Sequence, residues 1–381
     1  MMLHWATRTT RAGAGAITAV LAVMVLFVGQ GTAWAAAPAF ATAVDYATGD
    51  GPSDVAVGDF NGDGHADQVI TNNSADSVSV LLGAGDGTFA PKVDYATGSG
   101  PWSVVVADVN GDTVADLVVP NLFAGTVSVL LGSGDGTFGT AADYAVGTDP
   151  VKVAVADFDG DTDADLAVTN SADDTVSVLL GAGDGTFGTA AHFATGSLPY
   201  AVTAANVVGD TNTDLLVGNS GADSVTVFRG AGDGTFTAAG TYAAGSVPFG
   251  QVIGDFNGDS VPDLATANLG GDSVSVLLGA GDGTFGTHEE YATGSYPFWL
   301  ATADFDGDGH TDLVTDDYGS DSVSVLAGVG DGTFDTRADF ATGHSPYSVA
   351  VGDFNEDGHA DVTAANFDAD TVSVLLNTTF P

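Results

Sequence analysis

The sequence contains no cysteine and only six Lys and Arg among 381 residues. Without cysteine there is no disulfide, no thiolate metal centre, no cysteine nucleophile and no attachment point for a lipoprotein lipid. With so few basic residues, nucleic acid is excluded as a partner, because phosphate backbones are gripped by Lys and Arg. Adsorption to an anionic membrane surface fails on the same ground. Short catalytic signatures are missing too: there is no His-Glu-x-x-His, no Gly-x-Ser-x-Gly and no phosphate-binding P-loop. What the chain does have is acid and glycine: 50 Asp and Glu, a formal net charge of −44, and 54 Gly. Disordered acidic chains are poor in aromatic and β-branched residues. Here 21 Phe and recurrent Val accompany a hydrophobic fraction of 44%, enough to build a core.

The one long apolar run, Ile17 to Val28, follows Arg8 and Arg11 and precedes Ala33-Trp34-Ala35. A basic start, a short apolar stretch and an A-x-A site make the layout of a secretory signal peptide over 1–35. The run is short for a membrane span, and an uncleaved N-terminal anchor is the alternative. Cleavage would leave 36–381 as the mature, extracellular chain. Its stability must then come from sheet, core or bound ions.

Self-similarity dominates the rest. An acidic loop beginning at Asp59 recurs at Asp108, Asp157, Asn206, Asp255, Asp304 and Asp353, always 49 residues apart. A Gly-Asp-Gly-Thr-Phe turn keeps the same beat and ends at Phe89, Phe138, Phe187, Phe236, Phe285 and Phe334. Within the first period the alternation of Val with polar residues predicts strands over 54–58, 67–71, 77–82 and roughly 89–96. Four antiparallel strands per 40–50 residues is the signature of a β-propeller blade. A calcium-binding β-roll would repeat every nine residues, and a solenoid would need atypical capping repeats. The residues around 40–47 align with a fourth strand, whereas the chain ends on a third strand, Val372-Ser373-Val374-Leu375-Leu376. The reading is therefore all-β: a seven-bladed propeller over 36–381, with its N-terminal strand completing the last blade.

The first loop places Asp59, Asn61, Asp63 and Asp67 at positions 1, 3, 5 and 9, with the His65 carbonyl available at position 7. Ca²⁺ takes six to eight oxygen ligands, and alternating Asp and Asn in a tight loop supply them from one short segment. Oxygen donors without Cys or clustered His disfavour zinc and copper. The sequence here resembles the FG-GAP/VCBS repeat family, to which the calcium-bearing propeller of integrin α subunits is also similar. The resemblance spans nearly all of 36–381. It implies a seven-bladed propeller with cations in the hairpin between the first two strands of each blade.

The loops are not equal. Asp304, Asp306, Asp308, His310 and Asp312, and likewise Asp353, Asn355, Asp357, His359 and Asp361, match the first loop fully, with Gly at position 6 for a left-handed turn. Blades 2, 3 and 5 carry Thr113, Thr162 and Ser260 there, so weaker binding is expected. They keep Asp108, Asn110, Asp112, Val114 and Asp116; Asp157, Asp159, Asp161, Asp163 and Asp165; and Asp255, Asn257, Asp259, Val261 and Asp263. Blade 4, with Asn206 and Val208 at positions 1 and 3, is expected to hold no ion. A lone Asp-Asn-Gly run would be an ordinary turn, but six near-complete copies favour about six structural Ca²⁺ sites. The Asp of each Gly-Asp-Gly-Thr-Phe, Asp86 first, is assigned to its turn.

Departures from the repeat mark a possible contact face. Just after a recurrent Pro, the lead into the innermost strand carries Trp102, Tyr200, Phe249, Phe298 and Tyr347, with Trp299 beside them. The neighbouring loop adds Tyr318. On a propeller this zone lies opposite the acidic loops, near the axis. It reads either as an aromatic cup for an extracellular protein or glycan, or as a plug in the channel mouth. The preceding Asn column, beginning with Asn72, reads as Asx-turn capping. A non-enzymatic, secreted binding or adhesion module, monomeric and not membrane-inserted, is the first expectation. A lyase or hydrolase acting on carbohydrate, and a purely structural scaffold, are the alternatives, since fold alone does not give function.

Overall fold

The computed structural model describes residues 37–379. The expected leader over 1–35 lies outside the described residues. Among the described residues no helix is long and apolar enough to cross a membrane.

Seven four-stranded antiparallel sheets follow one another along the chain. In the first they are Pro52–Gly58, Asp67–Asn72, Ser77–Leu81 and Val93–Ala96, paired in sequence order. The seventh takes its outer strand from the other end of the chain: Val44–Ala47 pairs antiparallel with Thr371–Leu375. First strands pack beside one another around the ring, and that of blade 7, Pro346–Gly352, packs beside that of blade 1. The ring is closed by backbone hydrogen bonds, and the seven blades and their closure are those read from the sequence.

The outer strand is shorter than 89–96. In blade 1 only Val93–Ala96 is continuous, and Phe89 is held in a lone bridge with Gly83. After the Phe come Ala90-Pro91 in blade 1 and Gly139, Gly188 or Gly286 in others. Proline lacks the ladder N–H, and glycine weakens a strand. Blade 4 has Thr237 there and runs unbroken from Phe236 to Ala243.

The core lies between blades, one apolar cluster per seam. Val69, Val78 and Val80 of blade 1 meet Leu117, Val119 and Leu130 of blade 2, and Phe60 meets Phe138 edge-on at 5.5 Å. The same arrangement recurs around the ring. A fully buried Val or Leu contributes roughly 1.5–3 kcal/mol, so each seam is a small hydrophobic core.

A polar thread crosses every blade. Asn72 accepts the Gly49 N–H at 2.9 Å and donates to Ser79 Oγ at 2.9 Å, and Ser79 donates to Asp94 at 2.7 Å. In blades 1, 3 and 4 the Asn is thus a long-range clasp, reaching a glycine 23 positions away, and not the local Asx turn expected; in blades 2, 5 and 7 the matching glycine N–H goes to the Ser hydroxyl that the Asn also binds. Buried polar groups need such partners, and Asn72, Asn170 and Asn219 use both ends of the amide.

Blade 6 breaks the pattern with Asp317 in place of Asn. Ser324 Oγ lies 2.6 Å from Asp317 and 2.9 Å from Asp339, yet a hydroxyl has one hydrogen to share between two carboxylates. A proton on Asp317 resolves the conflict, and burial pushes that carboxyl up to about 7. The folded form therefore binds this proton more tightly than the unfolded chain. The group's destabilising effect is absent below the unfolded carboxylate range near pH 4 and complete above about pH 7. Asp317→Asn should raise stability by about 2–3 kcal/mol more at pH 8 than at pH 5 in denaturant titrations. An equal gain at both pH values would refute the buried-proton account.

Candidate functional site

Each acidic loop joins the first strand of its blade to the second and folds around the carboxylate at position 1. In blade 1, Asp59 accepts the Gly62 N–H at 2.8 Å and the Gly64 N–H at 3.0 Å. Asn61 accepts the Asp63 N–H at 2.9 Å and donates its amide to Asp63 at 2.8 Å. The turn needs a left-handed residue at position 6: φ is 87° at Gly64, 86° at Gly309 and 85° at Gly358. Thr113, Thr162 and Ser260 adopt the same turn at 69°, 78° and 65°. No neighbour lies within 4 Å of a Cβ built on Gly64, Gly309 or Gly358, so those side chains find space and only backbone strain opposes them.

The position-9 aspartate has a second task. Asp67 is fully buried; one oxygen accepts the Phe60 N–H at 2.9 Å and the other the Gly83 N–H at 2.7 Å. It pins the start of the loop to the end of the third strand. Asp116, Asp165, Asp263, Asp312 and Asp361 do the same, and so does Asp214 of blade 4, toward Val207 and Gly230. The sequence reading gave these residues to the metal alone. Retention of Asp214 in a loop that has lost the charge at position 1 and the ligand at position 3 was the signal of a metal-independent role.

These carboxylates are electrostatically strained. In blade 3 carboxylate oxygens of Asp157, Asp159 and Asp165 lie within 4.8 Å of one another, as do those of Asp304, Asp306 and Asp312 in blade 6. Burial first, then the Asp306 and Asp304 charges, push Asp312 up to about 7; Asp361 rises to about 6 by burial, with Asp357 and Asp353 adding. Oxygen-only donors in a crowded, partly desolvated loop fit a hard divalent cation.

Blade 4 differs from the other loops in a way the sequence reading missed. Its Thr211 stays out of the left-handed turn. Arg229 stands where other blades have Leu or Ala, and its guanidinium binds Asp210 at 2.7 and 3.2 Å. The Asn212 N–H and this guanidinium hold Asp210 below the usual carboxylate range. The loop carries its own cation.

The Gly-Asp-Gly-Thr-Phe aspartates serve their turns: Asp86 accepts the Thr88 N–H at 3.1 Å and its hydroxyl at 2.5 Å. The turn also staples neighbours, since the Gly136 N–H reaches the Phe60 carbonyl of the preceding blade's loop at 2.9 Å.

On the opposite side the aromatic residues pack against one another. Tyr200 meets Phe249 at 4.4 Å, Phe249 meets Phe298 at 4.9 Å and Phe298 stacks on Tyr347 at 4.1 Å. Tyr318 and Trp102 join through Phe298 and Tyr347. Phe249 and Trp299 are buried; Trp102, Tyr200, Phe298, Tyr318 and Tyr347 are half-buried. Beneath them lies an ion pair not anticipated from sequence. Lys152 of blade 3 reaches Asp54 of blade 1 at 3.0 Å and sits 4.2 Å over the Trp299 ring of blade 6. Asp54 also accepts the Val104 N–H at 3.1 Å and the Ser348 hydroxyl at 2.5 Å. Fully buried Asp316 caps the Trp299 and Phe298 N–H groups at 2.6 and 3.3 Å. The usable signal was the rarity of Lys in this chain.

The FG-GAP-like repeat pattern matches residues 59–119, 157–217, 206–266, 255–315 and 313–364. No curated protein matches the sequence. Among solved structures, streptogramin B lyase is similar at 15% identity, with 91% of this chain and 100% of that one covered and a TM-score of 0.62. A catalytically inactive virginiamycin B lyase from Staphylococcus aureus with quinupristin gives 14% identity, 89% and 99% coverage, and 0.61. BBS1N in complex with ARL6DN gives 11%, 88% and 96%, and 0.62. At such identities the likeness is one of fold.

Asp214→Ala should lower stability by about 3 kcal/mol, because it strands buried N–H donors worth roughly 1–3 kcal/mol each. The loss should be the same in chelator and in millimolar calcium. A loss confined to calcium-containing buffer would mean that the pin depends on an ion.

Proposed function

The chain belongs to the FG-GAP-like repeat family, and on that footing we propose that it is a secreted, calcium-stiffened propeller acting as a non-catalytic binding module. The observation that carries this is the pattern of loop chemistry around the ring. Six loops keep the oxygen donors at positions 1, 3, 5 and 9, and the one that has lost a charge at position 1 (Asn206) and the donor at position 3 (Val208) carries Arg229 against Asp210 instead. A positive charge in place of a missing ligand is what a loop built to surround a cation requires.

In blades 1, 2, 3, 5, 6 and 7 those side-chain oxygens and the position-7 carbonyl would hold Ca²⁺, which would neutralise the crowded carboxylates. Position 2 of each such loop is a buried Phe or Val seated in the seam to the next blade, such as Phe60 against Phe138. An ion that stiffens the loop therefore stiffens the seam. The role is structural, and the partner-facing surface is free to be something else. The half-buried aromatic cluster on the opposite face, braced by Lys152 and Asp316, suits contact with an extracellular protein or glycan. The layout of 1–35 supports export, where calcium is in the millimolar range that such loops need.

With free calcium at about ten times Kd, each site adds roughly 1.4 kcal/mol by linkage, and six add about 8 kcal/mol. Melting should therefore move upward by many degrees between chelator and millimolar calcium, with a calorimetric stoichiometry near six. The combined change Asn206→Asp, Val208→Asp and Arg229→Leu should add one more ion. A melting temperature indifferent to calcium would sink the proposal.

A further inference from the structure

Six of the seven blade seams on the aromatic side are closed by the same clasp. An aspartate ending the loop between second and third strands reaches the next blade and accepts a backbone N–H. Asp76 takes Gly100 at 2.8 Å, Asp174 takes Leu198 at 2.8 Å and Asp223 takes Val247 at 2.7 Å. Asp272, Asp321 and Asp370 act likewise on Tyr296, Ser345 and Gly51. In blade 2 the place is taken by Gly125. Its backbone keeps the left-handed form of the six aspartates, at φ 65° against 47–53°. The carboxylate alone is missing, and no described side chain caps the Asp149 N–H across the seam.

A cavity of about 630 Å³ opens there, lined by Gly125, Thr148, Asp149, Asp173 and His192 among others. That volume is within the roughly 300–1,000 Å³ of ligand pockets. Phe123 stands at its edge and is 69% exposed, ahead of Tyr296 at 55% on the same side. The equivalent residues elsewhere are Ser74, Ala172, Gly221, Gly270, Gly319 and Asp368, so the ring is particular to this seam. It is also held in place. One edge lies against Gly100, where an added Cβ would come within 2.4 Å of it, and its N–H is bonded to the Ser99 carbonyl at 3.1 Å.

We propose that this unclasped seam between blades 2 and 3 is a carbohydrate subsite, with a pyranose ring seated on Phe123 and its hydroxyls in the cavity. The chemistry selects the ligand. The Asp149 N–H needs an acceptor, and the Asp149 and Asp173 carboxylates need donors. A cation would meet only the second need and a carboxylate only the first. A sugar hydroxyl meets both, because it donates and accepts. A flat, exposed aromatic face receives the apolar C–H face of a pyranose. Asp173 is already oriented by the Thr148 N–H at 2.5 Å, which leaves its second oxygen to the cavity. The subsite lies on the side away from the acidic loops and does not depend on whether they bind calcium.

The test uses four free tetrasaccharides, of glucose, mannose, galactose and N-acetylglucosamine, titrated by saturation-transfer NMR. At least one should bind, with saturation strongest on the protons of one pyranose face. Phe123→Ala should weaken it at least tenfold. Gly125→Asp restores the clasp of the other six seams; its Cβ meets nothing nearer than 3.4 Å, so it should fold, melt no lower than the parent, and bind at least tenfold more weakly. Ser74→Ala, at the matching place in blade 1, should bind as the parent does. Failure of all four sugars to bind, or undiminished binding by a folded Gly125→Asp variant, overturns the proposal.

Discussion

One buried carboxylate per blade organises the rest. The aspartate that opens each second strand uses both oxygens on backbone N–H groups, one at the entrance of the acidic loop and one at the end of the third strand. Three strands and their loop are thereby fixed at a single point out of reach of water. With the loop entrance fixed, its second residue is delivered into the seam to the next blade, where Phe60 finds Phe138 and the Gly136 N–H finds the Phe60 carbonyl. Blade shape and blade contact thus follow from the same group. The pin is complete in blade 4 as well, where the loop has taken another course, so it precedes and supports whatever the loop binds.

A chain at −44 must deal with its acid locally; three means are seen in the structure and a fourth is proposed. Turn aspartates such as Asp86 are held below their usual range by the Thr88 hydroxyl and N–H. Every Lys and Arg among the described residues is spent on an aspartate: Lys92 on Asp94, Lys152 on Asp54, Arg229 on Asp210 and Arg337 on Asp339. Burial keeps Asp317 protonated near neutrality. The fourth means, a bound divalent ion, is what the remaining crowded loops are suited to. Of the basic residues, Lys152 stands apart, because it ties blades on opposite sides of the axis and supports Trp299 from below.

Much of the architecture was legible in the sequence. The 49-residue beat, Val alternation and misplaced terminal strand lead directly to seven blades and their closure, because period and strand count are local properties of a repeat. The acidic loops were legible for the same reason, down to the odd standing of blade 4. The outer strands came out shorter than the pattern implied, since Pro91 in blade 1 and the glycines after the Phe in blades 2, 3 and 5 interrupt a ladder that alternation alone cannot see. The Asn column was misjudged as local capping because its partners, such as Gly49 for Asn72, lie far along the chain.

The sparse basic residues and the acidic surplus turn out to be two sides of one arrangement. The sequence by itself determined the fold, the number of blades and which loops carry oxygen donors, since each depends on residues close in the chain and repeated seven times. Tertiary structure decided what repetition could not. It made the position-9 carboxylates pins, set Arg229 against Asp210, packed the aromatic residues of five blades into one cluster and left the seam beside Phe123 unclasped. Those outcomes depend on contacts between blades, and a missing contact, such as the carboxylate absent at Gly125, has meaning only beside the neighbour it would have reached.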